Sequence, residues 1–229
     1  PEACGPLTEI HAPSTAADAI KVLNEAKLSR GVIMSLAYFY GFPELADSPF
    51  NDAAYVRAEN EYIANQVAYF PSRLVGLFSV NPLAEYAIGE IRYWAEKGGL
   101  AGLKLHLANS NLDFKNPEHV AQLGAVFDVL YEYKLPVAIH LRNRSPKYGH
   151  EDAAIFIDQV ARYAPDVTLH IAHLAGWGGF DAATDGAIVA FLESIERGEL
   201  DRSKVWFDLA AVVMPQLPDE TYLSLPDRL

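Results

Sequence analysis

Cysteine is almost missing from this chain of 229 residues: Cys4 is the only one. One thiol can form neither an intramolecular disulfide nor a thiolate-only metal cluster, which fits a reducing compartment without requiring one. Basic residues are scarce too, 18 Lys plus Arg against 30 Asp plus Glu, giving a formal charge of −12. That balance excludes a broad electrostatic footprint for nucleic acid and repels anionic membrane surfaces. The longest apolar run, Gly31 to Tyr40, is about half of the roughly 20 residues that a spanning helix needs, so it reads as a buried strand. The first residue is Pro1 rather than Met, so targeting information is out of reach; a cytoplasmic site is the default expectation and an exported form stays open. No G-x-G-x-x-G follows the first strand and no G-x-x-x-x-G-K-[ST] occurs anywhere, which removes the best signals for a nucleotide-binding open sheet.

What is present is a folded composition, 51% hydrophobic and 21% charged, sized for one large domain. Apolar strands alternate with amphipathic helices. Helix Ala16–Leu28, behind a Ser14/Thr15 cap, leads to strand Val32–Leu36, and a helix from Asp52 to Phe70 stops at Pro71 before strand Leu74–Val80. Helix Leu83–Glu96 precedes strand Gly102–Leu107, and helix Pro117–Tyr133 precedes strand Val137–Leu141. Helix Glu151–Tyr163 and strand Val167–Ala172 follow, then helix Thr184–Arg197 and strand Val205–Leu209. Pro43 to Pro49 reads as a site-type loop, and Pro215 to Leu229 carries no clear strand. Short apolar strands spaced by helices require a parallel sheet; a doubly wound sheet and a (β/α)8 barrel both satisfy the pattern.

In either architecture ligands bind at the carboxyl ends of the strands. The period of two places Lys104 and His106 on one face of Leu103–Leu107 and the three leucines on the other, so a cation and an imidazole turn toward the interior. The same period sets His140 beside the small Ala138, which leaves room for a ligand. His170 and His173 have opposite parity, so a regular strand cannot turn both inward, and His173 stands before the glycine-rich Leu174-Ala175-Gly176-Trp177-Gly178-Gly179. Asp208, sharing a face with Trp206, is an acid in an apolar strand and a candidate partner for an inner cation. Arg142, Asn143 and Arg144 follow His140 and could clamp a substrate carboxylate. Plainer readings stand beside each: His106 and His170 as core imidazoles bonded to backbone, Lys104 and Asp208 as a structural pair, and the arginines as a solvated basic loop. His11, His119 and His150 carry no assignment.

Ser79-Val80-Asn81-Pro82, Gly102-Leu103-Lys104-Leu105-His106, Pro136-Val137-Ala138-Ile139-His140 and Ile171-Ala172-His173-Leu174-Ala175-Gly176, in that order, resemble the amidohydrolase-related family. This is a superfamily of (β/α)8 TIM-type barrels that includes metal-dependent hydrolases and some decarboxylases. The resemblance runs from about Ser14 to Val213, as barrel strands two to seven. It implies a single domain over 1–229, with a leader at 1–13, barrel units at 14–213 and a C-terminal segment at 214–229. It implies one Zn-like divalent ion held by His140, with His173 as the catalytic residue beside it that handles protons or polarises substrate. Lys104 sits where some superfamily members carry a carboxylated lysine. Lys104, His106, Arg142, Trp177 and Asp208 are the expected substrate contacts. The pattern's strand-one His-x-His would precede Ser14, where this chain offers only Glu9-Ile10-His11-Ala12-Pro13, and its strand-eight Asp would follow Val213. The expectation is therefore a barrel lacking its first and last strands in the sequence as it stands, exposing two sheet edges. The implied function is hydrolysis of an amide, lactone or ester through a metal-activated water. The alternatives are a decarboxylase on the same scaffold and a noncatalytic small-molecule-binding barrel. The partner is a small molecule, with neither nucleic acid nor membrane, and self-association stays open.

Overall fold

The computed structural model describes residues 15–41, 53–177 and 179–212. The expected leader, the Pro43–Pro49 loop and the 214–229 segment lie outside these residues. Helix α1 (Ala16–Glu25) begins where the Thr15 hydroxyl accepts from the Asp18 amide and the Asp18 carboxylate accepts back from the Thr15 amide, a reciprocal cap that satisfies two otherwise orphan donors. Strand β1 (Gly31–Met34), helix α2 (Ala53–Ala68), strand β2 (Leu74–Ser79), helix α3 (Ala87–Lys97) and strand β3 (Leu103–His106) follow. Then come α4 (Pro117–Tyr133), β4 (Val137–His140), α5 (His150–Gln159), β5 (Leu169–Ile171), α6 (Ala182–Glu196) and β6 (Val205–Phe207).

The six strands of the described residues are all parallel and lie side by side in chain order, β1-β2-β3-β4-β5-β6. A doubly wound sheet reverses its strand order at a switch point; this sheet never does. Helices entering such a sheet by crossovers of one hand all fall on the same face, and the sheet curls into part of a (β/α)8 barrel. The outward residues Phe78, Leu103, Leu105, Ile139 and Ile171 are fully buried in the main core under the helices. Among the described residues the inward face is open at the edge strands β1 and β6, with Val32 56% exposed and Trp206 62% exposed.

Most element bounds shift from the sequence expectation by a few residues, the first helix ending at Glu25 rather than Leu28 and the first strand spanning Gly31–Met34 rather than Val32–Leu36; three shifts have an evident local setting. Leu83 to Tyr86 precede α3 as turns because the Asn81 side chain accepts from the Leu83 amide and its carbonyl from the Ala84 amide, which holds the chain in a turn after β2. The helix expected through Tyr163 ends at Gln159, and Val160, at φ −129° and ψ −68°, leads into a short 3-10 turn at Ala161–Tyr163. Strand β5 spans Leu169–Ile171 rather than Val167–Ala172, and a tight turn, Ala172–Ala175, follows directly. At the far side of the sheet, the buried Glu90 carboxylate accepts from Trp94 Nε1 at 2.6 Å, Asn60 Nδ2 at 3.2 Å and Arg57 Nε at 2.7 Å. Asn60 in turn bonds both backbone groups of Ser79, so this network anchors the carboxyl end of β2.

Candidate functional site

The parallel register sets Ser79 beside Lys104, Lys104 beside Ala138, Ala138 beside His170 and His170 beside Trp206. One row toward the carboxyl ends, His106 lies beside His140. Since alternate residues of a strand share a face, this whole set turns into the concave side of the sheet, as the parity of the sequence requires. The His106 and His140 rings stack with centroids 4.0 Å apart and planes 11° from parallel. Two imidazolium rings could not share that spacing, and both are held neutral. Burial, then the Lys104 charge, pushes His106 down to about 3, and burial, then His106 and Lys104, pushes His140 lower still. Lys104 is 7% exposed, and burial lowers its pKa to about 8 against the pull of Asp208. Arg144 adds to the lowering at His106 and Arg142 to that at His140, so the surroundings of both rings favour an anion.

Aromatic rings wall the pair. Tyr38 stacks on His106 at 5.0 Å, Trp177 stands edge-on to His140 at 5.0 Å and to His106 at 6.1 Å, and His173 meets His140 edge-on at 5.3 Å. Trp177 is 51% exposed and borders the opening. The His140 Nε2 atom is buried, and among the described residues it has no hydrogen-bond partner. His106 Nδ1 accepts from the Asn109 amide at 3.4 Å, so part of the plainer reading of His106 holds, although its ring belongs to the cluster.

His170 and His173 resolve their parity conflict through the backbone. After β5, His173, Leu174 and Ala175 take φ of 57°, 52° and 64°, a left-handed turn that brings His173 back beside the strand ends. Both histidines then meet Asp208: His170 Nε2 donates to Oδ2 at 2.9 Å and the His173 amide donates to Oδ1 at 3.0 Å. His173 Nδ1 lies 2.6 Å from the Ala210 carbonyl oxygen. A carbonyl can only accept, so Nδ1 carries a proton, and in the neutral ring Nε2 is then the bare nitrogen. Burial pulls the Asp208 pKa up, but hydrogen bonds from His170, His173 and the Ala210 amide outweigh it and hold the carboxyl below its usual range. Lys104 feels the Asp208 charge, yet among the described residues the two form no direct ion pair. Arg142 Nη1 pairs with Asp181 Oδ2 at 2.9 Å and Arg144 Nε donates to the Ala108 carbonyl, so this basic loop is tied down rather than simply solvated.

Three neighbours of the site escaped the sequence reading. Tyr38 lies in a 3-10 turn (Ala37–Gly41) with no periodic signal. The Ser79 hydroxyl is buried beside Lys104 and, among the described residues, unpartnered, a placement that the parity of β2 could have indicated. Tyr148 Oη donates to the Ala175 carbonyl at 2.8 Å from a loop.

For a divalent ion, His140 supplies a neutral, buried, uncommitted nitrogen. Among the described residues no three His, Cys, Asp or Glu side chains are grouped to hold a metal. His140 thus fits one coordination position of such an ion.

A parallel β/α part-barrel with imidazoles gathered at its strand ends is the class that fold and site define. The amidohydrolase family model matches residues 43–228, and the chain belongs to that family. No curated protein sequence matches it. Among solved structures it is similar to 5-carboxyvanillate decarboxylase from Sphingomonas paucimobilis, at a TM-score of 0.58 and 15% identity over 96% of this chain and 78% of that one. It is also similar to a probable 2-pyrone-4,6-dicarboxylic acid hydrolase from Acinetobacter baumannii with citric acid bound, at 0.55 and 16% over 95% and 72%. A third is 5-carboxyvanillate decarboxylase from Novosphingobium aromaticivorans, complexed with manganese and 4-hydroxy-3-methoxy-5-nitrobenzoic acid, at 0.53 and 14% over 87% and 63%. At these identities the likeness establishes the barrel fold. Among the described residues no helix is long and apolar enough to cross a membrane.

Proposed function

We propose that this chain is a metal-dependent hydrolase acting on the carbonyl of a small, carboxylate-bearing amide, lactone or ester. The observation that carries this reading is the partnerless, neutral Nε2 of His140, buried at the carboxyl end of β4 with cationic groups around it. His140 would be one metal ligand. When bound, a divalent metal supplies Lewis acidity at a carbonyl oxygen and a more acidic water; Zn is the first ion to try, and Mn, found in a structural neighbour, is the second.

The chain's own groups then have distinct tasks. Lys104, with Arg142 through the guanidinium donors left beyond its Asp181 pair, attracts the substrate carboxylate into the concave face. The His106 and Trp177 rings flank the substrate and keep water from its sides. His173, with its proton fixed on Nδ1, offers Nε2 to accept a proton or, once charged, to return it to the leaving group.

A decarboxylase is the second reading, favoured by one observation. Both Asp208 oxygens are already engaged by donors, so the carboxylate nearest the imidazoles is not free to activate water. Loss of CO2 leaves an electron pair on carbon that needs an acid instead, and Lys104 or protonated His173 could supply the proton. The test is a panel of carboxylated lactones, amides and aromatic acids, incubated with the protein in Zn2+ or Mn2+ and followed by product NMR and CO2 detection. Ring-opened or cleaved product without CO2 supports hydrolysis. CO2 release overturns it for decarboxylation, and saturable binding with no turnover overturns both for a binding barrel.

A further inference from the structure

Three successive residues without glycine's freedom, His173, Leu174 and Ala175, occupy the left-handed region, a conformation that costs each of them about 1 kcal/mol and persists only where neighbours enforce it. Asp208 meets this segment at several points. Its Oδ1 accepts from the His173 amide and the Ala210 amide, both at 3.0 Å, and its own carbonyl accepts from the Leu174 amide at 3.1 Å. Its amide donates back to the Ile171 carbonyl at 3.2 Å, and Oδ2 takes the His170 Nε2 proton. The far end of the turn is fixed as well: Tyr148 holds the Ala175 carbonyl, and a Cβ at Gly176 would come within 2.5 Å of the Thr184 hydroxyl on α6.

A carboxylate with both oxygens occupied by donors is poorly placed to grip a substrate, and its charge would repel an anionic one. We propose that Asp208 is a positioning residue: it clamps the turn at His173 to the end of β6 and so fixes the proton of His173 on Nδ1, leaving Nε2 for the site. The fixing follows from geometry. By holding the Ala210 amide, Asp208 orients the segment whose carbonyl receives His173 Nδ1–H, and its own Oδ1 lies 3.7 Å from that nitrogen. The proposal gives Asp208 a role different from the substrate contact expected from sequence, and it rests on the reading of His173 as the proton-handling group.

Asp208→Asn tests it in the full chain, labelled with 15N-histidine, using long-range 1H–15N spectra that report which ring nitrogen carries the proton. Asparagine keeps one acceptor oxygen for the two amides but turns an N–H toward His170. The expected result is that His170 changes tautomer, from Nε2–H to Nδ1–H, while His173 keeps Nδ1–H. A change at His173, or none at His170, overturns the proposal. In Asp208→Ala the clamp is lost; the His173 ring is expected to become a mixture of tautomers, and the His173 and Leu174 amides to exchange at least about 10-fold faster while β4 amides stay protected. Unchanged exchange and tautomer in that variant also overturn it, and if that variant fails to fold, the asparagine variant decides alone. Neither readout needs metal or turnover, so an absence of catalysis would refute the functional reading while leaving this result separate.

Discussion

Lys104 stands buried between Ser79 and Ala138, and among the described residues its charge is opposed at a distance by Asp208. Its pKa falls from 10.5 to about 8 chiefly through burial, so between those pH values the unfolded chain holds a proton that the folded chain has released. Stability therefore rises with pH across that window, and below it the full cost, roughly 3 kcal/mol, applies. Lys104→Met is expected to raise the melting temperature of the metal-free chain at pH 7, with the gain shrinking toward pH 10.5, and to lose affinity for carboxylated ligands; thermal melts across pH and ligand titration check both halves. Asp152, on α5, is the opposite case. It is buried, among the described residues neither carboxylate oxygen makes a hydrogen bond of good geometry, and burial raises its pKa above 3.8. The folded state then binds its proton more tightly, so stability falls as pH rises through that range and stays lower at pH 7. Asp152→Ala should stabilise the chain at pH 7 by about 1 kcal/mol and give little gain at pH 3; a lower midpoint in urea at pH 7 would show that the carboxylate has a partner.

Among the elements, the strands that carry the site were the most legible. Leu103–His106 and Val137–His140 alternate strictly enough for parity to place Lys104, His106 and His140 on one face, and the register makes neighbours of them. The cap residues Thr15, Asn116 and Asp181 begin helices where side-chain oxygens accept from backbone amides. The turn at His173 was not legible, because no residue type there demands a positive φ; it is imposed by Asp208, 35 residues away. Tyr38 was invisible for the same reason, since its stack on His106 is a tertiary event. Two glycines divide cleanly by what surrounds them. A Cβ at Gly102, just before β3, would stand 2.6 Å from the Pro136 carbonyl oxygen, whereas one at Gly89 in α3 meets nothing within 4 Å. Gly102→Ala should destabilise by about 1–3 kcal/mol through backbone displacement, and Gly89→Ala should stabilise by roughly 0.5–1 kcal/mol through lost unfolded-state freedom. Equal urea midpoints for the two variants would contradict this.

At the scale of the molecule, alternation alone left the barrel and the doubly wound sheet equally open; the strand order, sequential and without reversal, separates them. Alternation reports that strands are parallel and covered by helices, whereas neighbour order depends on long-range pairing that no local pattern encodes. The same order lines the strand-end residues along one concave rim, and membership of the amidohydrolase family fits that arrangement. The account turns on whether that rim takes a divalent ion through His140. The most direct measurement is titration of the 15N-histidine-labelled, metal-free chain with Zn2+, following each ring nitrogen. The account predicts that His140 Nε2 shifts at the lowest metal concentrations and that His140→Ala abolishes this high-affinity phase. It is contradicted if His140 stays unchanged while Zn2+ binds only the exposed imidazoles such as His150, or if His140→Ala binds Zn2+ as tightly as the unaltered chain.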